Sequence, residues 1–304
     1  MIVVTTPTGA IGRQVLQLLL DSNSGERIRV IVRDPARLSP ATRDRVDILQ
    51  GSQADPNVVD QAFTGADTVF WVVPPDFKAP SVEAAYLDFT RPACHAIQRR
   101  GVTRVVAVSA LGRGVDANGG NYGIVSASLA KDDMIAATGV NFRALVMPSF
   151  MENILRQKES IATQGVFRLA ITADLKIPTC STSDIAGAAA RLLLDRSWTG
   201  QESVPVLGPE DLSFNDMARI MSEVLGRPVR YEQIPVESWK AFLIAQGASE
   251  KFAQAMADMI LAKNEGLDNA EPRTPQSSSP TSFRQWCEEV LMPAVTAGAA
   301  SART

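Results

Sequence analysis

The strongest constraint in this chain is an alternation. In its first half the runs "MIVVTT", "IRVIVR", "VDILQG", "ADTVFWVV", "VTRVVAVSA" and "NFRALVMP" are short, rich in β-branched residues and in several cases apolar on both faces. Strands of that composition need cover on both sides of their sheet, which is the pattern of a parallel sheet with crossover helices. The intervening stretches supply those helices. "GRQVLQLLLDS", "PNVVDQAFTG", "YLDFTRPACHAIQRRG" and "LAKDDMIAATG" carry apolar residues at helical spacing, and glycine follows three of them as a stop signal. Six strands joined in this way predict a doubly wound α/β fold.

After about residue 150 the regularity loosens. A helix is expected over "MENILRQKESIATQG", a strand at "VFRLA" and a helix at "TSDIAGAAARLLLD" capped by Ser183. A strand at "SVPVLG", a helix at "SFNDMARIMSEVLG", a strand at "PVRYEQIP" and helix across about 236–266 follow. "AEPRTPQSSSPTS" reads as an exposed loop and "FRQWCEEVLM" as a last amphipathic helix. The expected organisation is a doubly wound domain over 1–150 and a smaller, discontinuous α+β region over 151–292, some of whose strands and helices return to the first sheet, with a disordered tail over 293–304.

Composition removes several classes of partner. With 304 residues, 45% hydrophobic and 21% charged, the chain can bury a core unaided. A net charge of -3 gives no reason to expect a basic surface for nucleic acid, which is not expected as a direct partner. Cys94, Cys180 and Cys287 are too scattered for a disulfide framework or a metal clip, and His95 is the sole histidine, so no metal is expected. No apolar run reaches bilayer length, and a first strand beginning at Ile2 leaves no room for a signal segment. No membrane partner and a cytoplasmic location are the resulting expectations.

The stretch "VTTPTGAIGRQV" has the strand, turn and helix placement of a dinucleotide loop. A helix N-terminus there presents free N–H groups and partial positive charge to a pyrophosphate. Gly9 allows close backbone approach and Gly12 allows the helix to pack, but Thr6 occupies the place of the usual first glycine and Pro7 stiffens the turn. Taken alone, the loop fits a plain strand-to-helix turn equally well. About twenty residues beyond Gly12, "VIVRDPARL" puts Arg33 at the end of the second strand, where an arginine suits the 2'-phosphate of NADP and an acid would suit the ribose of NAD. Arg13 and Arg37 can converge on the same charge, while Asp34 is one residue of register away. The reading favours NADP(H).

Together "TPTGAIGRQV", "VIVRDPAR", "ADTVFWVVPP", "RRGVTRVVAVSALG", "TGVNFRALVMPSFMEN", "TSDIAGAAARLLLD" and "VPVLGPEDLSFNDMARIMSEVLGRPVRYEQIP" resemble the NmrA-like branch of the atypical short-chain dehydrogenase/reductases. The resemblance covers about residues 1 to 265 in order and implies an NAD(P)-binding Rossmann core. That family holds NADPH-dependent quinone, dye, imine and phenylpropanoid reductases as well as cofactor-sensing regulators. Carried over by position, the phosphate loop is Thr6, Pro7, Thr8, Gly9, Ala10, Ile11 and Gly12, with Arg33 and Arg37 at the 2'-phosphate. Ser52 and Gln53 stand near adenine, where many relatives have an acid and a hydrophobe, and Val73, Pro74, Pro75, Ser109 and Pro148 border the ribose and nicotinamide.

Ordinary short-chain dehydrogenases use a tyrosine four residues before a lysine, and none of Tyr86, Tyr122 or Tyr231 has one there. Relatives that carry a lysine on the helix before "GV" have it where this chain has Ser128, and Lys131 lies one turn later. Lys131, Tyr122 and Ser109 are the candidate catalytic groups. An electrophilic conjugated acceptor such as a quinone, an iminium, an enone or a cationic dye takes hydride without a strong general acid, because the cofactor carries the chemistry. Trp71, Phe77, Phe150 and Met151 follow strand ends and are the candidate walls for such an acceptor, with Asn153 orienting it. The expected function is an NADPH-dependent reductase. The alternative is a non-catalytic NADP(H) sensor acting through a protein partner, and a homodimer is the expected state of self-association.

Overall fold

The structure, a computed structural model, describes residues 1–301. Its strands are β1 (Ile2–Val4), β2 (Ile28–Val32), β3 (Asp47–Gln50), β4 (Thr68–Trp71), β5 (Arg104–Val108), β6 (Asn141–Val146), β7 (Ser149–Phe150), β8 (Val166–Leu169), β9 (Ile177–Cys180), β10 (Gln201–Pro205), β11 (Asp211–Leu212) and β12 (Arg230–Gln233). Seven of them form one sheet in the order β10-β6-β5-β4-β1-β2-β3. The order reverses between β1 and β4, whose parallel register sets Val4 opposite Phe70. Ligands of open α/β sheets bind beyond the carboxyl ends of the strands at such a switch point.

The chain divides into two interleaved units, each taking half of it: Met1–Ala110, Val125–Val146 and Ile185–Val204 in the first, Leu111–Ile124, Met147–Asp184 and Pro205–Thr304 in the second. In the first unit β1 and β4 are buried along their whole length, because helices cover both faces of the sheet. Those helices include α1 (Ala10–Asp21), α2 (Pro40–Arg43), α3 (Pro56–Phe63), α4 (Phe89–Arg100) and α5 (Ile124–Ala136). Helix α1 buries Ile11, Val15, Leu16, Leu19 and Leu20, one stripe at helical spacing. In α4, Pro92 cannot donate to the Asp88 carbonyl, and the turn before it, Ala84–Asp88, is π-helical. Gly101, at φ 68°, ends that helix.

The second unit holds a three-stranded sheet, β11-β9-β7, and a parallel pair, β12-β8. Its helices are α6 (Lys158–Gln164), α7 (Thr182–Leu194, passing into the first unit), α8 (Phe214–Leu225), α9 (Val236–Ala245), α10 (Glu250–Asn264), α11 (Phe283–Trp286) and α12 (Met292–Ser301). Phe167, Phe214 and Tyr231 pack ring against ring in its core, with Phe214 and Tyr231 stacked at 4.8 Å between centroids. Helix α8 opens with a reciprocal capping box between Ser213 and Asp216.

Four expectations change here. The single helix expected from Met151 is a 3-10 segment, Met151–Gln157, followed by α6. Ser181 rather than Ser183 caps α7, its hydroxyl accepting from the Asp184 amide at 3.2 Å. The Pro/Ser-rich stretch is not a loose loop: Ser277 and Ser279 are buried, the Leu207 amide donates to the Ser277 carbonyl and the Ser279 amide to the Leu207 carbonyl. Residues 293–301, expected as a disordered tail, belong to α12, while the expectation for 302–304 lies outside the described residues.

Candidate functional site

The loop between β1 and α1 is built by its threonines. Thr5 is fully buried, and its hydroxyl donates to the Phe70 carbonyl at 2.8 Å and accepts from the Val72 amide at 3.0 Å, stitching the ends of β1 and β4 together. Thr6, in the place of a glycine, takes a left-handed backbone with φ 49°, a conformation costly for a β-branched residue. Its carbonyl accepts from the Gly9 amide at 2.9 Å, and a Cβ on Gly12 would stand 2.2 Å from that same oxygen. Gly12 is therefore obligatory, because the loop backbone lies directly on the first turn of α1. Gly9 is the N-cap residue, and no side chain caps the helix or places an acid in its first turn. Pro7 is buried, Thr8 and Gly9 are half-buried, Ala10 is exposed and Ile11 is in the core.

The end of β2 resolves the register between Arg33 and Asp34. The Asp34 carboxylate accepts from the Ala36 amide at 3.0 Å and caps the short 3-10 turn Pro35–Arg37, so it is spent on the backbone. Arg33 and Arg37 are exposed, and among the described residues their guanidinium groups, like that of Arg13, make no hydrogen bond or ion pair. At the end of β3, Ser52 accepts from the Ala54 amide at 3.2 Å. Gln53 is buried and donates to the Val72 carbonyl at 2.6 Å, so it braces the end of β4 rather than presenting a free amide. Val73 and Pro74 are half-buried beyond that point and Pro75 is exposed.

Beyond β5 lies a polar cluster that the sequence reading only partly anticipated. Lys131 is 1% exposed, its ammonium donates to the Val108 carbonyl at 2.6 Å and pairs with Asp132 Oδ1 at 3.0 Å. Asp132 is also buried, and Ser109 donates its hydroxyl proton to Asp132 Oδ2. Ser128, also buried, has its hydroxyl 3.5 Å from that of Ser109. The structure thus brings Ser109 and Lys131 together, but the lysine is the buried counter-charge of Asp132 rather than a group free to reach a substrate. Asp132 is the participant that sequence reasoning missed. Its only signal was helical spacing, since it follows Ser128 by four residues, and Asp133 beside it is exposed. Tyr122, in the second unit, donates its hydroxyl to the Val115 carbonyl.

The expected acceptor walls are placed as follows. Trp71 is 1% exposed, with its indole N–H donating to Thr90 Oγ1 at 3.2 Å and its ring tilted against Phe89, so it is core and not a wall. The reason is its strand: β4 is interior to a sheet covered on both faces, and no position along it meets solvent. Met151 is likewise core, packed in the hydrophobic cluster of the second unit. Phe77 in the first unit and Phe150 in the second are half-buried, Asn153 is exposed within the 3-10 segment, and Pro148 is buried.

Several features of the first loop fit a bound dinucleotide. The Thr6 hydroxyl oxygen is buried without a partner, a state that costs stability unless something binds there. Beside it the N-terminus of α1 is uncapped, and the Gly12 cradle leaves no Cβ in the way. Arg33 and Arg37, exposed, follow β2 one strand over, and Arg13 lies in the first turn of α1.

The chain matches the model of the NmrA-like family over residues 1–286. It is 28% identical to the (4-alkanoyl-5-oxo-2,5-dihydrofuran-3-yl)methyl phosphate reductase of Streptomyces griseus subsp. griseus, over 95% of this chain and 97% of that protein. It is 27% identical to the NAD(P)H azoreductase of Xenophilus azovorans, over 85% of this chain and 86% of that one. Its fold is that of the Citrobacter sp. triphenylmethane reductase solved with NADP(H), with a TM-score of 0.78 at 20% identity, covering 97% of this chain and all of the other. No described helix is long and apolar enough to cross a membrane. The strand order, the loop under α1 and the family match over nearly the whole chain agree, and the chain belongs to the NmrA-like family.

Proposed function

We propose that this protein is an NADPH-dependent reductase of small electrophilic conjugated acceptors. The observation that carries the cofactor is the β1–α1 loop, where a strained Thr6 with an unpartnered buried hydroxyl lies on an uncapped helix N-terminus. Thr6 through Gly12 hold the pyrophosphate, and Arg33, with Arg37 and Arg13 beside it, takes the 2'-phosphate in bidentate fashion. The backbone of Val73, Pro74 and Pro75 and the Ser109 hydroxyl border the nicotinamide end. Bound there, NADPH supplies a hydride, and the chain's part is to bind, orient and exclude water.

The relatives named above are reductases of a furanone phosphate and of azo and triphenylmethane compounds by name, all of them conjugated electrophiles. They support a reductase over a regulatory cofactor sensor. Lys131 takes a different role from the one its position suggested: it holds the end of β5 through the Val108 carbonyl and neutralises Asp132.

The test is NADPH consumption by the purified protein against quinones, iminium ions, enones and cationic dyes, with cofactor fluorescence followed in the same samples. Saturable consumption of one class is expected. Tight NADPH binding without consumption of any class would transfer the protein to the sensor reading.

A further inference from the structure

The buried cluster beyond β5 sets the direction of one hydrogen bond, and that direction bears on what the site can reduce. A buried ammonium requires a counter-charge, and Asp132 is the carboxylate beside Lys131, 3.0 Å away. Oδ1 of Asp132 is ion-paired with that ammonium but accepts no hydrogen bond among the described residues, and the ionised carboxylate accepts the Ser109 proton at Oδ2. With that proton turned inward, Ser128 is the donor of the pair at 3.5 Å, and it occupies one lone pair of the Ser109 oxygen. What Ser109 retains for a ligand is a lone pair and no proton. It is the first residue beyond β5, next to β4 at the switch point of the sheet, where the ligand crevice lies.

Hydride acceptors divide on this point. A neutral quinone, enone or carbonyl needs a hydride and a proton to reach its stable product. An iminium or arylmethane cation needs the hydride alone: the C–H bond forms, the C=N or cationic carbon is reduced, NADPH becomes NADP+, and no proton moves. We propose that Asp132 is a positioning residue that makes Ser109 a hydrogen-bond acceptor only, and that the site thereby selects cationic nitrogen-bearing acceptors over neutral carbonyl ones. This rests on the reductase reading above and narrows its substrate class.

The test exploits the same geometry. In Asp132→Asn, Lys131 still demands an oxygen, so the amide oxygen faces the ammonium and the amide NH2 donates to Ser109, whose proton then turns outward. The ratio of kcat/KM for the N-protonated 3,4-dihydroisoquinolinium ion, whose N–H can donate to Ser109, to that for a neutral naphthoquinone should fall by about tenfold, the worth of one reversed hydrogen bond. Ser109→Ala, which leaves the Lys131–Asp132 pair intact and so folds even if Asp132→Asn does not, should lower the same ratio by removing the oxygen that accepts from the cation. Binding gives a readout free of turnover. The protonated product amine, which takes no hydride, should bind the NADPH complex of both variants about tenfold more weakly than wild type.

An unchanged ratio and unchanged amine binding in both variants would overturn the proposal. A wild type that prefers the quinone would do the same. If the amine binds as expected but no acceptor is consumed, the reductase reading fails while the assignment of Ser109 as an acceptor stands.

Discussion

Two polar sites of the first unit, the β1–α1 loop and the cluster where the end of β5 meets α5, handle polar groups differently. The β1–α1 loop leaves its groups unsatisfied: the Thr6 hydroxyl is buried without a partner, the helix above it is uncapped, and Thr6 holds a left-handed backbone. The β5–α5 cluster neutralises its charges internally: Ser109 donates to Asp132 Oδ2, Lys131 donates to the Val108 carbonyl and pairs with Asp132, and Oδ1 of Asp132 is left with that ion pair and no hydrogen bond. The contrast teaches that the strained, uncapped loop carries a local cost that a ligand can offset, whereas the ion-paired cluster is part of the folded frame. Mutations in the loop should therefore register mainly as lost cofactor affinity, and those in the cluster mainly as lost stability.

The largest effect should come from opening the ion-paired cluster. Lys131→Met leaves Asp132 buried and unpaired and should destabilise the protein by about 3 kcal/mol or more in denaturant unfolding, while Lys131→Met/Asp132→Leu should recover most of that. A single variant as stable as wild type would dissolve the comparison. Next is Gly12→Ala, whose Cβ would meet the Thr6 carbonyl at 2.2 Å. Displacing that backbone should cost about 2 kcal/mol and abolish NADPH fluorescence enhancement in the folded protein. Loss of stability without loss of binding would show that the loop does not hold the cofactor.

Arg33→Ala sharpens the open side of the comparison. It should weaken NADPH binding by about tenfold and leave NADH binding and the melting temperature nearly unchanged. Equal losses for the two cofactors would remove Arg33 from the 2'-phosphate. The smallest effect lies outside both sites, at the half-buried Asp60–Arg100 pair joining α3 to α4. The hydrogen bond from Arg100, and then the charges of Arg100 and Arg99, hold the Asp60 carboxyl below its ordinary value of 3.8. A group lowered on folding contributes stability above its unfolded value and loses it as pH falls through the folded one. Asp60→Asn should thus slightly flatten the acid limb of the stability curve below about pH 4 and leave the neutral region and cofactor binding untouched.

How much of this was legible depended on whether the signal was local. The strands at residues 2–4, 28–32, 47–50, 68–71, 104–108 and 141–146 all lie within runs read from composition, because strands of a parallel sheet under helices are rich in β-branched apolar residues, most fully in β1 and β4 and least in the edge strand β3. The doubly wound order followed from their alternation with helices, and Gly12 and Arg33 were identifiable from their distance to strand and helix ends. Trp71 was misread for the same physical reason that β4 was read correctly: an interior strand buries every side chain, the large aromatic included.

Sequence alone determined the sheet, the loop under α1 and the family, since each depends on short-range pattern and on glycine or β-branched stereochemistry. Tertiary structure decided which polar groups are spent. Asp34 is consumed by a backbone cap, Gln53 by the Val72 carbonyl, and Lys131 by Asp132, whereas Thr6 and Arg33 are left over. A side chain's availability depends on partners that are far apart in the chain and adjacent only in the fold, as Ser109 and Asp132 are, and no local pattern encodes such a pairing.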